Sequence, residues 1–211
     1  MKILSYENSD KVQQGTTIAL GNFDGLHLGH KELIKDVLLE SKKRKLISSV
    51  LLFNNHTKSI IENEVEPGIL TSNSQKINIL SSMGVELIYT LNFNEQIMEL
   101  TPVEFVEKIL IEKLNVNLVV VGFNYRFGYK AKGDVEYLKK LGKQFGFDVI
   151  IVDPVNYGNH IISSTYIREL LKTGDLKKAN ELLGRPYTIE GKVVIGKKRG
   201  KKMGFPTANL K

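Results

Sequence analysis

The 211 residues suffice for one ordinary domain plus a fragment, or two small domains, and 42% hydrophobic with 25% charged residues allows a sizeable buried core. The lack of cysteine excludes disulfides, thiolate metal sites and cysteine nucleophiles, and no stretch nears the roughly 20 apolar residues of a membrane span. A net charge of +7, from 30 Lys and Arg against 23 Asp and Glu, favours an anionic partner without choosing among nucleic acid, phosphorylated metabolite and membrane surface.

The opening MKILSYENSD lacks the apolar run of a signal peptide, so a cytoplasmic location is expected. Apolar, β-branched runs then alternate with helical patterns, the mark of strand–helix–strand units on a parallel sheet. Strands are expected over residues 16–21, 47–53, 85–91, 118–122 and 147–152. Leu118-Val119-Val120-Val121 is apolar without alternation, as in a strand covered on both faces.

Between the first two strands a helix should run from near His27 to about Lys43, and Lys42-Lys43-Arg44-Lys45 suits its C-terminal dipole. A second helix follows Ser72. Thr101-Pro102-Val103-Glu104 gives the start signal of a third, with Phe105, Ile109 and Leu110 facing a core. Residues 133–145 read as a fourth, Ser163-Ser164-Thr165 cap a fifth through Lys172, and residues 175–183 make one more. After Gly184-Arg185-Pro186 helix signals stop, and residues 187–195 read as a strand. The last 25 or so residues are too few for a core of their own, so a domain boundary is expected there.

Gly21-Asn22-Phe23-Asp24-Gly25-Leu26-His27-Leu28-Gly29-His30 follows a buried strand and opens a helix. Its glycines permit a tight turn and close approach of a ligand, and the N–H groups of the helix start suit a phosphate. His27 and His30, three apart, share a helix face and can reach the same group. Imidazoles donate hydrogen bonds and titrate near neutrality, so preplaced there they suit phosphoryl or nucleotidyl transfer, in which negative charge builds around phosphorus. Zinc is disfavoured because a third and fourth ligand are missing nearby. Ile162-Ser163-Ser164-Thr165-Tyr166-Ile167-Arg168 places hydroxyls at a helix start and a guanidinium one turn later, again suited to phosphate oxygens. Val121-Gly122-Phe123-Asn124-Tyr125-Arg126-Phe127-Gly128 lies after a buried strand, where α/β proteins bind ligands; its aromatics would flank a flat ring system, or, for Phe127, simply fill the core.

Together these segments resemble a known family. Residues 21–30 resemble the GxFDGxHxGH form of the HxGH motif in adenylyltransferases that make FAD. Residues 162–168 resemble the ISSTxxR motif of the same superfamily, and residues 121–128 its GxDFxFG stretch, with Asn124 where many members carry an acidic residue. Phe53-Asn54-Asn55-His56-Thr57 stands in place of FxPHP; His56 is kept but Asn55 and Thr57 replace both prolines, which predicts a looser loop. Leu183-Gly184-Arg185-Pro186-Tyr187 through Gly204-Phe205-Pro206-Thr207-Ala208-Asn209 is similar to the opening of bacterial riboflavin kinase domains. The whole resembles the bacterial bifunctional riboflavin kinase/FMN adenylyltransferase (FAD synthetase) family.

That resemblance implies an α/β fold with a Rossmann-like parallel sheet and flanking helices, of the HxGH nucleotidyltransferase type, over residues 1–184. A truncated start of a β-barrel domain would occupy residues 185–211. It implies transfer of an adenylyl group from ATP to FMN, giving FAD and pyrophosphate, without a covalent enzyme intermediate. His27, His30 and Arg168 would be catalytic, Arg168 holding the departing pyrophosphate. Gly21, Asn22, Phe23, Asp24, Gly25, His56, Asn124, Ser163, Ser164 and Thr165 would contact nucleotide or flavin. Mg²⁺ would enter with ATP, and Thr207 and Asn209 would be metal ligands of the kinase half-motif. Further barrel strands and an acidic general base do not follow, so riboflavin kinase activity is not expected of this chain. Neither a nucleic-acid nor a membrane partner is expected. The alternatives are the same chemistry on nicotinamide mononucleotide or phosphopantetheine, and a non-catalytic module binding flavin or RNA.

Overall fold

The computed structural model describes residues 1–54, 68–194, 204–205 and 208–210. A six-stranded, all-parallel sheet forms its centre: β1 (Lys2–Ser5), β2 (Thr16–Leu20), β3 (Ile47–Phe53), β4 (Leu87–Leu91), β5 (Val116–Gly122) and β6 (Asp148–Val152), in the order β1-β4-β3-β2-β5-β6. All five residues of β2 are buried, and its neighbours diverge in chain order, β3 and β4 to one side and β5 and β6 to the other. The carboxyl ends of β2 and β5 therefore meet at the switch point where open α/β sheets bind ligands.

Two hydrophobic layers cover the sheet. On one face α1 (Leu28–Arg44) and α2 (Asn73–Ser82) bring Leu33, Ile34, Val37 and Leu80 against Ala19, Val50, Ile88, Leu118 and Val120. On the other, residues 102–111 and α5 (Val135–Phe145) bring Phe105, Ile109, Leu110, Leu138 and Leu141 against Ile18, Leu51, Tyr89 and Val119. A third cluster joins α6 (Ser164–Lys172) and α7 (Leu176–Leu183) to Leu70 and Ile162, with Leu28 packed on it. This last layer leans on the start of α1, and so on the site.

Some expectations need correction. The edge strand β1 is not foreseen: it has only four residues, half of them exposed, and so carries no apolar run. Thr101 does cap a helix, with both arms of a capping box to Glu104 and Pro102 at its first position. After one turn, α4 (Pro102–Glu104), the chain widens into a π-helix over Phe105–Ile111, in which Phe105, Val106, Ile109 and Leu110 are buried. Five-residue hydrogen bonds, such as Leu114 N–H to Ile109 O at 3.2 Å, line up both buried pairs on one side. The short helix α3 (Glu95–Met98) precedes this segment. The helix expected from residue 133 begins at Val135, because Asp134 is its cap and Gly133 instead bonds Phe127 in both directions.

Of the strand expected over 187–195, whose last residue lies outside the described residues, only β9 (Val193–Val194) is a strand among the described residues, pairing antiparallel with β10 (Asn209–Leu210); between β6 and α6, β7 (Asn156–Tyr157) and β8 (His160–Ile161) make a small hairpin. Residues 187–190 lie against α2 instead: Gln75 Nε2 donates to Thr188 O at 3.0 Å, and the hydroxyls of Ser72 and Ser74 donate to Glu190 at 2.9 and 2.8 Å. An alternating pattern becomes a strand only where a partner strand meets it.

Candidate active site

The loop from β2 to α1 holds a strained course by burying its side chains. Phe23 (φ 49°) and Leu26 (φ 41°) sit in the left-handed region with no exposed surface, alongside Gly25 (φ 82°). Such bulky residues cost about 1–3 kcal/mol each in that conformation, so the fold must impose it. Asp24, 3% exposed, is the peg. Its carboxylate accepts from Leu70 N–H (3.0 Å), Thr71 N–H (3.1 Å), the Thr71 hydroxyl (3.3 Å) and the Arg168 guanidinium. Thr71 Oγ1 also accepts from Gly25 N–H at 2.9 Å, and Ser164 Oγ donates to Asp24 O at 2.8 Å. Phe23, Asp24 and Gly25, expected to touch the nucleotide, are thus turned inward and committed to the protein; Asn22 is exposed and Gly21 partly so.

His27 caps α1. Its Nδ1 accepts the N–H of His30 at 3.3 Å, which makes Nδ1 the unprotonated nitrogen and leaves Nε2–H as the donor. The His27 and His30 rings stack with centroids 3.7 Å apart and planes 19° from parallel, and Phe23 meets the edge of His30 at 5.3 Å. Gly29 allows this. A Cβ there would lie 3.2 Å from the His27 ring atoms Cε1 and Nδ1. With His30 N–H bonded to His27 Nδ1 and Lys31 N–H to His27 O, the Leu28 and Gly29 amides have no partner among the described residues.

The surroundings of both imidazoles disfavour their charged forms. Burial first, with Arg185 adding to it and Asp24 opposing, lowers His27 to about 4. Burial, then His27 and Lys76, hold His30 well below its usual value. Both shifts favour the neutral rings. His30 Nδ1 is buried and has no hydrogen-bond partner.

The second segment meets the first. Ser163 caps α6, accepting from Tyr166 N–H at 3.2 Å, and Thr165 is exposed at the helix start. Arg168, with 16% of its side chain exposed, donates from Nη2 to Asp24 and from Nε to Gly68 O at 2.8 Å. Two of its three nitrogens are therefore turned to the protein. Asn124 stands exposed on the loop after β5. Phe127, by contrast, is 6% exposed and stacks on Tyr125 at 5.7 Å within the core, so it is a core aromatic. His56 and Thr207 lie outside the described residues, and Asn209 is exposed on β10.

Sequence reasoning missed three cations around the start of α1. Lys31 Nζ donates to Gly184 O at 3.1 Å, and half-buried Arg185 donates to Leu26 O at 3.4 Å. Lys76, only 8% exposed, shares the buried face of α2 with Leu80. A lysine four residues before a core leucine was the available signal.

Residues 9–166 match the sequence model of the family described as FAD synthetase, and residues 183–211 that of riboflavin kinase. The chain belongs to the FAD synthetase family. Over 212 aligned residues it is 37% identical to a bifunctional riboflavin kinase/FMN adenylyltransferase of Buchnera aphidicola subsp. Schizaphis graminum, covering 100% of this chain and 68% of that one. Proteins of the same description from Escherichia coli K12 (35% identity, 96% and 64% covered) and Listeria monocytogenes (40%, 92% and 62%) are also similar. This FAD synthetase family member thus spans about two thirds of the length of its curated relatives. A crystal structure described as a macrolide-efflux protein from Streptococcus pneumoniae superposes with a TM-score of 0.86 at 35% identity, over 99% of this chain and 68% of that one. Among the described residues of the present family member, no helix is long and apolar enough to cross a membrane.

Proposed function

We propose that the chain is an FMN adenylyltransferase, converting FMN and ATP to FAD and pyrophosphate. One observation carries the reading: two motifs some 140 residues apart, residues 21–30 and 162–168, are joined through Asp24 at the sheet's switch point, with the paired imidazoles beside them. A phosphate oxygen of FMN attacks the α-phosphorus of ATP in line. As the new P–O bond forms, the bond to the β-bridging oxygen breaks and its electron pair leaves with pyrophosphate. No protein nucleophile is needed, since positioning and neutralisation of charge supply the catalysis.

The Nε2–H of His27, the open Leu28 and Gly29 amides and the α6 start with Thr165 are the donors offered to the phosphates, and Arg168 Nη1 faces the leaving pyrophosphate. As negative charge approaches His30, its lowered proton affinity rises, so the pair answers the transition state more than the ground state. Mg²⁺ enters with ATP, held mainly by the triphosphate itself. The Asp24 carboxylate is saturated by donors, and the described residues contain no cluster of three His, Asp or Glu for a metal.

Asn124 is assigned to the flavin side, and Asp24 and Phe23 to positioning the loop. We set the domain boundary after Gly184, which ends α7 with φ 62°; the FAD synthetase match ends before it, at residue 166, and the riboflavin kinase match begins at residue 183. The kinase half-motif enters no step here. A cytoplasmic location is the reading that fits a reaction on two phosphorylated metabolites. The test mixes the purified protein with ATP, Mg²⁺ and FMN and follows FAD and pyrophosphate by chromatography. Nicotinamide mononucleotide and phosphopantetheine serve as rival acceptors; product from one of these, with none from FMN, would overturn the assignment.

A further inference from the structure

Lys76 belongs to no motif of the proposed reaction, yet its setting is unusual for a lysine. It lies on the first turn of α2, whose cap Ser72 follows directly on the Leu70 and Thr71 amides that grip Asp24. The capping box between Ser72 and Gln75 fixes that turn, and Lys76 N–H bonds Ser72 O at 2.9 Å. The residue is buried, at 8% exposed. Among the described residues its ammonium has no hydrogen-bond or ion-pair partner.

Burial pushes this ammonium below its usual value, and the field of Asp24 opposes the change; Lys76 in turn disfavours a charge on His30. The lysine therefore lies within electrostatic reach of both Asp24 and His30. Asp24 cannot serve as its counter-ion by direct contact, because both carboxylate oxygens are taken by Leu70, Thr71 and Arg168. His30 Nδ1, on the ring whose charge Lys76 disfavours, is a buried polar atom without a hydrogen-bond partner among the described residues. Buried charges and buried polar atoms are normally paired, since leaving them unpaired is costly. An unpaired ammonium on the turn that follows the Asp24-binding amides and an unpaired buried imidazole nitrogen are both suited to receive a ligand oxygen.

We propose that Lys76 is a further catalytic residue, its ammonium contacting a non-bridging oxygen of the α-phosphoryl group beside His30 while adenylyl passes to the acceptor. The proposal rests on the adenylyltransferase reading. The bond forming to the acceptor phosphate and the bond breaking to pyrophosphate are unchanged. Lys76 adds a fixed positive charge where negative charge grows, with no proton transfer. With Arg168 largely committed to Asp24 and both imidazoles neutral, that charge is otherwise scarce at the reacting centre.

The test compares wild type with Lys76→Met and Lys76→Arg in FAD formation. Methionine matches the shape of the stem and removes a buried charge, so the variant should fold at least as stably, which a melting curve checks. The expected result is a kcat lower by about 10²-fold with the KM for ATP changed far less, as for loss of a donor used in the transition state. Arginine should restore part of the rate. Substitution of sulfur for one or the other non-bridging α-oxygen of ATP locates the contact: wild type should prefer one diastereomer, and Lys76→Met should lose much of that preference. A kcat for Lys76→Met within threefold of wild type overturns the proposal. So does a slow variant with unaltered diastereomer preference, which would show Lys76 acting through the fold. A wild type that makes no FAD overturns the enzymatic reading, and this assignment with it; an active wild type beside an equally active Lys76→Met overturns the assignment alone.

Discussion

His27 performs two tasks with one ring. Its Nδ1 caps α1, which leaves Nε2–H as the donor proposed for the phosphates. Protonating Nδ1 would break the cap and charge a ring that is 6% exposed, which is why burial draws its value from 6.5 to about 4. The folded state thus binds this proton less readily than the unfolded chain. The stability from the neutral ring is complete above about pH 6.5 and is lost as the pH falls toward 4. By linkage the loss approaches about 3 kcal/mol. His27→Asn keeps a capping acceptor without a titrating group, so urea unfolding at steps from pH 7 to 4 should give a flatter curve for the variant. Parallel curves would mean that the ring is not held neutral. His30 predicts a different readout. His30→Ala should lower kcat for FAD formation on the order of 10²–10³-fold, the cost of one transition-state donor. A steady-state assay with turnover within a fewfold of wild type would remove His30 from the reaction.

At the scale of elements, the start of α1 joins helix formation to the geometry of the site. Alanine is favoured over glycine in a helix by about 1 kcal/mol, so Gly29→Ala ought to stabilise α1. Its Cβ would nevertheless stand 3.2 Å from the His27 ring and turn that ring off the helix start. We expect an unchanged or raised melting temperature together with a roughly tenfold loss of FAD formation, the scale of a small misplacement of a catalytic group. Loss of stability with full activity would contradict this. Legibility follows the same lines. Helix starts at Ser72, Thr101 and Ser163 could be read because caps are local chemistry, written in three or four residues. The π-helical widening after Glu104 could not, since Phe105, Ile109 and Leu110 look the same in either winding and the packing decides. The histidines were legible as a pair, but their neutrality was not, because burial by distant segments sets it. The inward turn of Phe23 and Asp24 is likewise a product of residues 70–76 and 164–168 folding onto the loop.

At the scale of the whole molecule, Asp24 and Arg168 tie the α6–α7 layer to the sheet, 144 positions apart in the chain. The pair is shielded, with 4% and 16% of the two side chains exposed, and Asp24 is further bonded by Leu70 and Thr71. Breaking a buried pair from one side leaves the other charge stranded, at a cost of about 3–5 kcal/mol. Arg168→Met should therefore destabilise the fold more than its lost contacts alone would, and Asp24→Asn should also do so. The double variant strands no charge, and its loss should fall short of the sum of the single losses by about 1–3 kcal/mol. Urea unfolding of the four proteins measures that coupling directly, and additive losses would show that the pair stitches nothing. Hydrogen exchange locates the effect. In Arg168→Met, amides of α6 and α7 should lose protection while those of β2 and β5, at the centre of the sheet, keep theirs, because the C-terminal layer packs through its own cluster around Ile167 and Leu182 and can open as a unit. The same opening would part Ser164 from Asp24, so the arginine variant should lose affinity for ATP in the temperature range where those amides exchange.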